Sequence, residues 1–291
     1  MTRPGAVLDT TAAWQRLLRV RTEETAEAAG LVRGPDGRWR WRRNASPGAA
    51  ELVDRYLPLC LAGPRHVFAQ LGQSVDGFIA TRTGDATFVT GEEDRLHLHR
   101  LRALADAVVV GAGTVVADDP RLTVRACAGP HPVRVVLDRR GRVPEERGLF
   151  RDGLAPTLRV MADTARRPAG HGADLVEVPS GPDGFAPHRL LDTLAGRGLG
   201  RVLVEGGGVT VSRFLAAGAL HRLYVTVAPV LLGDGVPGLR FPGPGTMREA
   251  HRIPVRRFAL GEDALFEFDV RAAGPWSSEA AQHQHADAGQ T

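Results

Sequence analysis

The chain contains no lysine; all 37 of its Lys and Arg positions are arginine. That absence excludes a Schiff-base lysine and the lysine of a P-loop. Cysteine is almost as scarce, with only Cys60 and Cys127. Neither belongs to a C-x-x-C pair, which argues against a disulfide framework and a zinc ribbon and for a reducing, cytoplasmic setting. No run of 18 apolar residues occurs, so no membrane span is expected, and the N-terminus lacks the apolar segment of a secretory signal. Asn44 is the single asparagine and isoleucine is nearly absent, a bias that reads as GC-rich coding. The net charge of +4 therefore does not speak for nucleic acid. The arginines are scattered among acids, and no dense basic run is interleaved with aromatics.

What is present is an alternation of strands and helices. The 291 residues allow one large α/β domain with extensions, or two small domains. Residues 1–62 form an N-terminal extension of unknown role. It has an expected helix over 14–29, a turn and edge strand in "GPDGRWRWRR" (34–43) and a short helix over 49–57. It reads as a packing arm or interface without chemistry of its own. From residue 64 to 271, strands are expected at 66–71, 107–111, 133–138, 156–162, 201–205, 222–233 and 264–270. Helices are expected at 90–106, 187–198 and 209–218. Thr90 and Glu93 read as a capping box. The pattern is that of α/β with an open, mostly parallel sheet. Residues 273–291 lack apolar periodicity and read as a disordered tail, with His283 and His285 solvated.

Three segments carry chemistry. "RVLVEGGGVTVSRFL" (201–215) places Glu205 at a strand end, then three glycines, then a helix. Bare backbone N–H groups there suit a phosphate, although a tight strand–helix turn would look the same. By type, a carboxylate at such a strand end is not a core residue, so Glu205 should be needed for turnover and not for folding. "AQLGQSVDGFIAT" (69–81) breaks at Gly72 and turns at Gly77, as a plain corner also would. "VVVGAGTVVADDPRLTVR" (108–125) resembles a dinucleotide fingerprint only superficially: Val116 stands where the third glycine belongs, and Pro120 comes too soon for a long helix. Its Thr114, Asp118, Arg121 and Arg125 could instead meet a phosphorylated ligand. After the strand at 133–138, Arg139 and Arg140 are placed to clamp a 2′-phosphate, or form a basic turn.

Together, "SVDGFIAT", "LRALADAVVVGAGTVVADDPRLTVR", "VRVVLD", "VEGGG" and "APVLLGDG" run in one order over residues 66–270. That set resembles the reductase domain of riboflavin biosynthesis, the pyrimidine reductases. The resemblance implies a dihydrofolate-reductase-like, three-layer α/β fold with a central mostly parallel sheet, here a reductase domain over 63–272. It implies NADPH-dependent reduction of a ribosylamino-pyrimidine phosphate, with hydride delivered to the sugar C1′ after ring opening to an imine. It further implies NADPH contacts from Gly72, Thr114, Asp118, Gly206, Gly207, Gly208, Val209 and Thr210. Phe88 would present an aromatic face where some members have tryptophan. Substrate contacts would come from Arg102, Leu122, Arg125 and Glu205. A homodimer is implied as well.

Two departures bear on substrate identity. Gln70 stands where the family usually has the lysine that works beside the glutamate, and Ala86 where it has a substrate-holding serine. Glu205 and Gln70 are thus the candidate catalytic pair. A pterin, a specialised metabolite or a nucleotide-binding protein without catalysis remain alternatives. No metal site is expected. The H-x-E…P-C-x-x-C pattern of the zinc deaminases is missing, so a stand-alone reductase is read, and His97 and His99 are two apart on a helix and point to different sides.

Overall fold

The computed structural model describes residues 7–87, 89–163, 165, 173–182 and 184–272. Phe88 and the expected tail at 273–291 lie outside the described residues. The N-terminal segment forms α1 (Thr10–Leu17), α2 (Glu23–Ala28) and α3 (Pro47–Cys60), with a small hairpin pairing Leu31–Arg33 with Trp39–Trp41. The single helix expected over 14–29 is therefore two. Thr22 and Thr25 make a reciprocal capping box that starts α2 and ends any continuation of α1. Ser46 caps α3, whose first residue is Pro47, a position that needs no N–H partner.

Nine strands make the central sheet: β1 (His66–Ser74), β2 (Ala107–Gly111), β3 (Val133–Leu137), β4 (Thr157–Met161), β5 (Asp174–Glu177), β6 (Arg201–Val204), β7 (Arg222–Ala228), β8 (Val255–Leu260) and β9 (Asp263–Asp269). Their spatial order is β8-β9-β7-β1-β6-β2-β3-β4-β5. From β7 to β5 every neighbouring pair is parallel; β8 and β9 add an antiparallel hairpin at the β7 edge. The strand expected over 222–233 ends at Ala228, and Gly235–Pro237 pairs instead with Phe78–Thr81.

The helices are α4 (Glu92–Leu104), α5 (Ala112–Asp118), the single turn α6 (Gly148–Arg151), α7 (Pro187–Ala195) and α8 (Gly208–Ala216). Side-chain alternation along each strand feeds two apolar layers. Phe68, Val108, Val110 and Leu203 face α1, α3, α4 and α5, together with Trp14, Leu17, Tyr56 and Leu101. Val67, Ala69, Val109 and Val204 face α7 and α8, with Leu190, Val211 and Phe214. The result is a three-layer α/β fold in which the N-terminal helices continue one of the outer layers. The capping box expected at Thr90 and Glu93 does not form. Gly91 is the N-cap of α4 and has no side-chain cap; its N–H donates to Asp263 Oδ2 at 2.7 Å.

Candidate functional site

β6 lies between β1 and β2, and the chain leaves both β2 and β6 directly into helices. Gly111 is the N-cap of α5 and Gly207 that of α8, and neither end carries a side-chain cap. Two uncapped helix N-termini thus stand side by side at the carboxyl edge of the sheet, where open α/β sheets bind ligands. They are locked together by Thr114, whose Oγ1 accepts from Gly207 N–H at 3.1 Å. Gly206 makes the turn at φ +114, and an added Cβ would lie 3.1 Å from Thr114 Oγ1, so both the conformation and the space require glycine.

This edge opens into a cleft of about 910 Å³, within the range of small-molecule sites. Gln70, Gly72 and Leu122 line it, as do Thr114, Asp118 and Arg139. Gly206, Gly207, Val209, Thr210 and Glu205 complete the wall along β6 and α8. Gly208 is buried in the first turn of α8. Most of the residues singled out from the sequence therefore share one cavity. Arg102 and Arg125 do not line it; they stand behind Glu205 and Leu122.

Arg102 is buried and grips Glu205 with two hydrogen bonds, Nε to Oε2 at 2.9 Å and Nη2 to Oε1, while Nη1 donates to the Thr123 carbonyl at 3.0 Å. Glu205 is only 8% exposed. The expectation that it stands apart from the core is corrected: a strand end that faces a neighbouring helix can be as buried as the strand. Arg125 donates through Nη1 to Thr123 Oγ1 at 2.9 Å, and its backbone N–H donates to His99 Nδ1 at 2.9 Å. Burial and then the neighbouring Arg102 and Arg121 guanidinium groups lower the Arg125 pKa. Burial, assisted by Arg102 and Arg125, holds His99 down to about 4, so its ring is neutral and able to accept. An anion beside these arginines would relieve their mutual repulsion.

Leu122 adopts φ +55 although it is not glycine, and Asp119 adopts φ +42. Such left-handed conformations in non-glycine residues are costly and mark functional loops. Asp119 ends α5 and accepts from Gly148 N–H at 2.9 Å, which anchors this loop to α6. On the other wall, buried Asp138 accepts from the N–H groups of Arg142 and Val143 at 2.9 and 3.0 Å and from Arg159 Nε at 2.9 Å. That network holds the turn carrying Arg139, Arg140 and Arg142, all three of which line the cleft. Arg139 Nη1 donates to the Gly181 carbonyl and, at 3.0 Å, to that of Pro182.

Residues 65–265 match the family described as the RibD C-terminal domain. The chain belongs to the RibD C-terminal domain family. It is 36% identical over 216 residues to the 2,5-diamino-6-ribosylamino-4(3H)-pyrimidinone 5′-phosphate reductase of Methanothermobacter thermautotrophicus, covering 71% of this chain and 98% of that protein. It is 34% identical over 201 residues to the riboflavin biosynthesis protein RibD of Bacillus amyloliquefaciens, covering 68% of this chain and 54% of that protein. The chain thus spans about half the length of that RibD protein. Among solved structures, RibD of Acinetobacter baumannii superposes with a TM-score of 0.60 at 25% identity, over 85% of this chain and 67% of that one. The riboflavin biosynthesis reductase Rib7 of Saccharomyces cerevisiae shares the fold, with a TM-score of 0.57 at 19% identity over 70% of this chain and 89% of that one.

Within this member of the RibD C-terminal domain family, Gln70 contacts a residue that sequence reasoning missed. Its Nε2 lies 3.3 Å from both carboxyl oxygens of Asp94, and Thr226 Oγ1 donates to Asp94 Oδ1 at 2.6 Å. Asp94 sits in the first turn of α4, in "GEEDRLHLHR", where acids ordinarily serve the helix dipole. Nothing local distinguishes it from Glu92 and Glu93. His97, by contrast, is buried away from the cleft, with Nδ1 2.8 Å from Tyr56 Oη.

Proposed function

We propose that the chain is an NADPH-dependent reductase of a ribosylamino-pyrimidine 5′-phosphate. The observation that carries this reading is the bidentate Arg102–Glu205 pair at the end of β6, set beside two glycine-capped helix N-termini in one cleft. The reductase activity that names the archaeal relative, which matches over 98% of its length, supports the reductive chemistry and the phosphorylated pyrimidine.

The backbone N–H groups at Gly113–Thr114 and at Gly208–Val209 would hold the cofactor's phosphates. The space over Gly113 is open as far as Arg142 Nη2, 3.9 Å from where a Cβ would stand, so the residues present fit a phosphorylated dinucleotide. Arg139 and Arg140 would take its 2′-phosphate, and Asp118 its ribose side. When bound, the nicotinamide supplies hydride for the sugar C1′. Arg125, which is exposed beside the cleft, would meet the substrate phosphate, and Leu122 would pack on the substrate. Arg102 fixes the Glu205 carboxylate with both oxygens in plane, leaving their outer lone pairs to accept from sugar hydroxyls. The proposed assembly is a homodimer in the cytoplasm, as the family resemblance implies.

The test is NADPH oxidation with 2,5-diamino-6-ribosylamino-4(3H)-pyrimidinone 5′-phosphate, followed by isolation of the ribitylamino product. Turnover supports the reading. NADPH binding with no turnover on this compound, but with turnover of a pterin, would favour the second reading. That alternative draws on Gln70 and Ala86, two cleft residues that bring neither a charge nor a hydroxyl to the substrate.

A further inference from the structure

Three described carboxyl side chains line the cleft: Asp94, Asp118 and Glu205. Glu205 is neutralised by Arg102, and Asp118 is exposed. Asp94 differs from both. It is 3% exposed and forms no salt bridge among the described residues. Its partners are the neutral Thr226, at 2.6 Å to Oδ1, Gln70, at 3.3 Å to each oxygen, and Thr90. The charged group acting on it is another carboxyl, Asp263 at the start of β9. A buried carboxylate without a cation is costly, which disfavours its charged form relative to a solvated one. Burial in the first place, and Asp263 besides, push the Asp94 pKa upward against the hydrogen bonds from Thr226, Thr90 and Gln70.

The backbone gives this acid its place in the cleft. A Cβ on Gly72 would fall 2.7 Å from Thr90 Cγ2 and 3.5 Å from Asp94 Oδ2. A glycine lets β1 pass this close to Thr90, just ahead of α4, and Oδ2 is the Asp94 oxygen on that side. Thr226 donates to Oδ1 at 2.6 Å, and Gln70 Nε2 stands 3.3 Å from both oxygens, so Oδ2 is the oxygen without a short bond from either.

We propose that Asp94 is the proton donor for the reduction carried out in this cleft, with Gln70 and Thr226 as the residues that position its carboxyl. The proposal rests on the reading of the chain as an imine-reducing enzyme. Hydride from the nicotinamide forms the new C1′–H bond, and the cofactor is oxidised as C1′ is reduced. The π pair of the C1′=N bond moves onto nitrogen and takes the proton from Asp94, whose O–H bond breaks. The carboxylate left behind regains a proton from solvent, so one hydride and one proton are consumed per amine formed.

The experiment combines kinetics with a direct view of the carboxyl group. Asp94→Asn should lower kcat by about 10²- to 10⁴-fold, the usual weight of a general acid, while KM and NADPH affinity stay within about threefold. The alkaline fall of kcat expected of the wild type should vanish in the variant. Difference infrared spectra of the free protein should show a protonated-carboxyl band, absent from Asp94→Asn, that titrates above the ordinary aspartate range in step with that fall. Thr226→Val removes a bond that favours the charged form, so it should move both the band and the kcat limb to higher pH; this arm serves if Asp94→Asn does not fold. A kcat within about threefold of wild type in Asp94→Asn, or an alkaline limb that survives the substitution, overturns the proposal. So does a band that titrates in the ordinary aspartate range, or one unmoved by Thr226→Val. If the wild type does not turn over the pyrimidine, the reading of the function falls. The infrared titration still decides whether Asp94 holds its proton.

Discussion

Arg102 and Glu205, 103 residues apart in the chain, form a bidentate pair buried between α4 and the end of β6. The pair gives Glu205 two duties, as part of the cleft wall and as counter-charge to a buried guanidinium. Glu205→Gln should therefore cost about 3–5 kcal/mol of stability, because removing one partner leaves the other charge uncompensated. Urea unfolding measures this. Replacing Arg102 and Glu205 together by methionine should restore most of the stability and none of the turnover. That outcome separates the structural duty from the functional one.

Gln70→Lys brings an ammonium group against Asp94, in place of an amide 3.3 Å from its carboxyl oxygens. An opposite charge at that distance favours the carboxylate. The Asp94 pKa should fall toward or below the ordinary aspartate range, and the infrared band of the protonated acid should weaken at a given pH. If Asp94 donates the proton, turnover should drop with it. Turnover improved by the lysine would show that the cation is the better fit for this substrate, and turnover left unchanged would make Gln70 a neutral variation.

Arg139 should set the preference for a 2′-phosphate. Its turn is held by Asp138, and its Nη1 is already spent on the Gly181 and Pro182 carbonyls, which fixes where the remaining nitrogens stand. Arg139→Glu should weaken NADPH by about 1.5–3 kcal/mol, roughly ten- to more than a hundredfold, the range of a charge-assisted hydrogen bond. NADH binding should change far less. Fluorescence titration of both cofactors reads the ratio.

The parts of the fold visible in the sequence are those specified locally. "AVVVG" and "RVLVE" are apolar runs bounded by glycine, and they are buried parallel strands as that pattern implies. The glycines after Glu205 announced the turn into α8 because no other residue tolerates the Gly206 conformation. What could not be read is what pairing across the fold creates. Asp94 looks like a solvated acid until β1 and β7 bring Gln70 and Thr226 to it, from 24 and 132 residues away. Thr90 reads as a helix cap, but Asp263, 172 residues from Gly91, takes the N–H that defines that helix end. Likewise the arm at 7–62 shows apolar residues but no partner, because the surface that Trp14 and Tyr56 cover exists only after α4 has docked.

Buried histidines should make the protein acid-sensitive, and His99 connects that sensitivity to the site. Its pKa is held at about 4, first by burial and then by Arg102 and Arg125. His66, His97 and His221 are likewise lowered, chiefly by burial. The unfolded chain protonates these rings near the ordinary value of 6.5, whereas the folded chain resists. Between about 6.5 and 4 the unfolded state therefore binds more protons, and stability must fall as pH falls through that window. Asn at position 99 keeps an oxygen that can accept from Arg125 N–H, now 2.9 Å from His99 Nδ1, but cannot titrate. His99→Asn should therefore match the wild type near neutral pH and flatten the fall of Tm with acidity. A plot of Tm against pH for the two proteins decides the matter: parallel curves from neutrality down to about pH 4 would mean that His99 titrates alike in the folded and unfolded states.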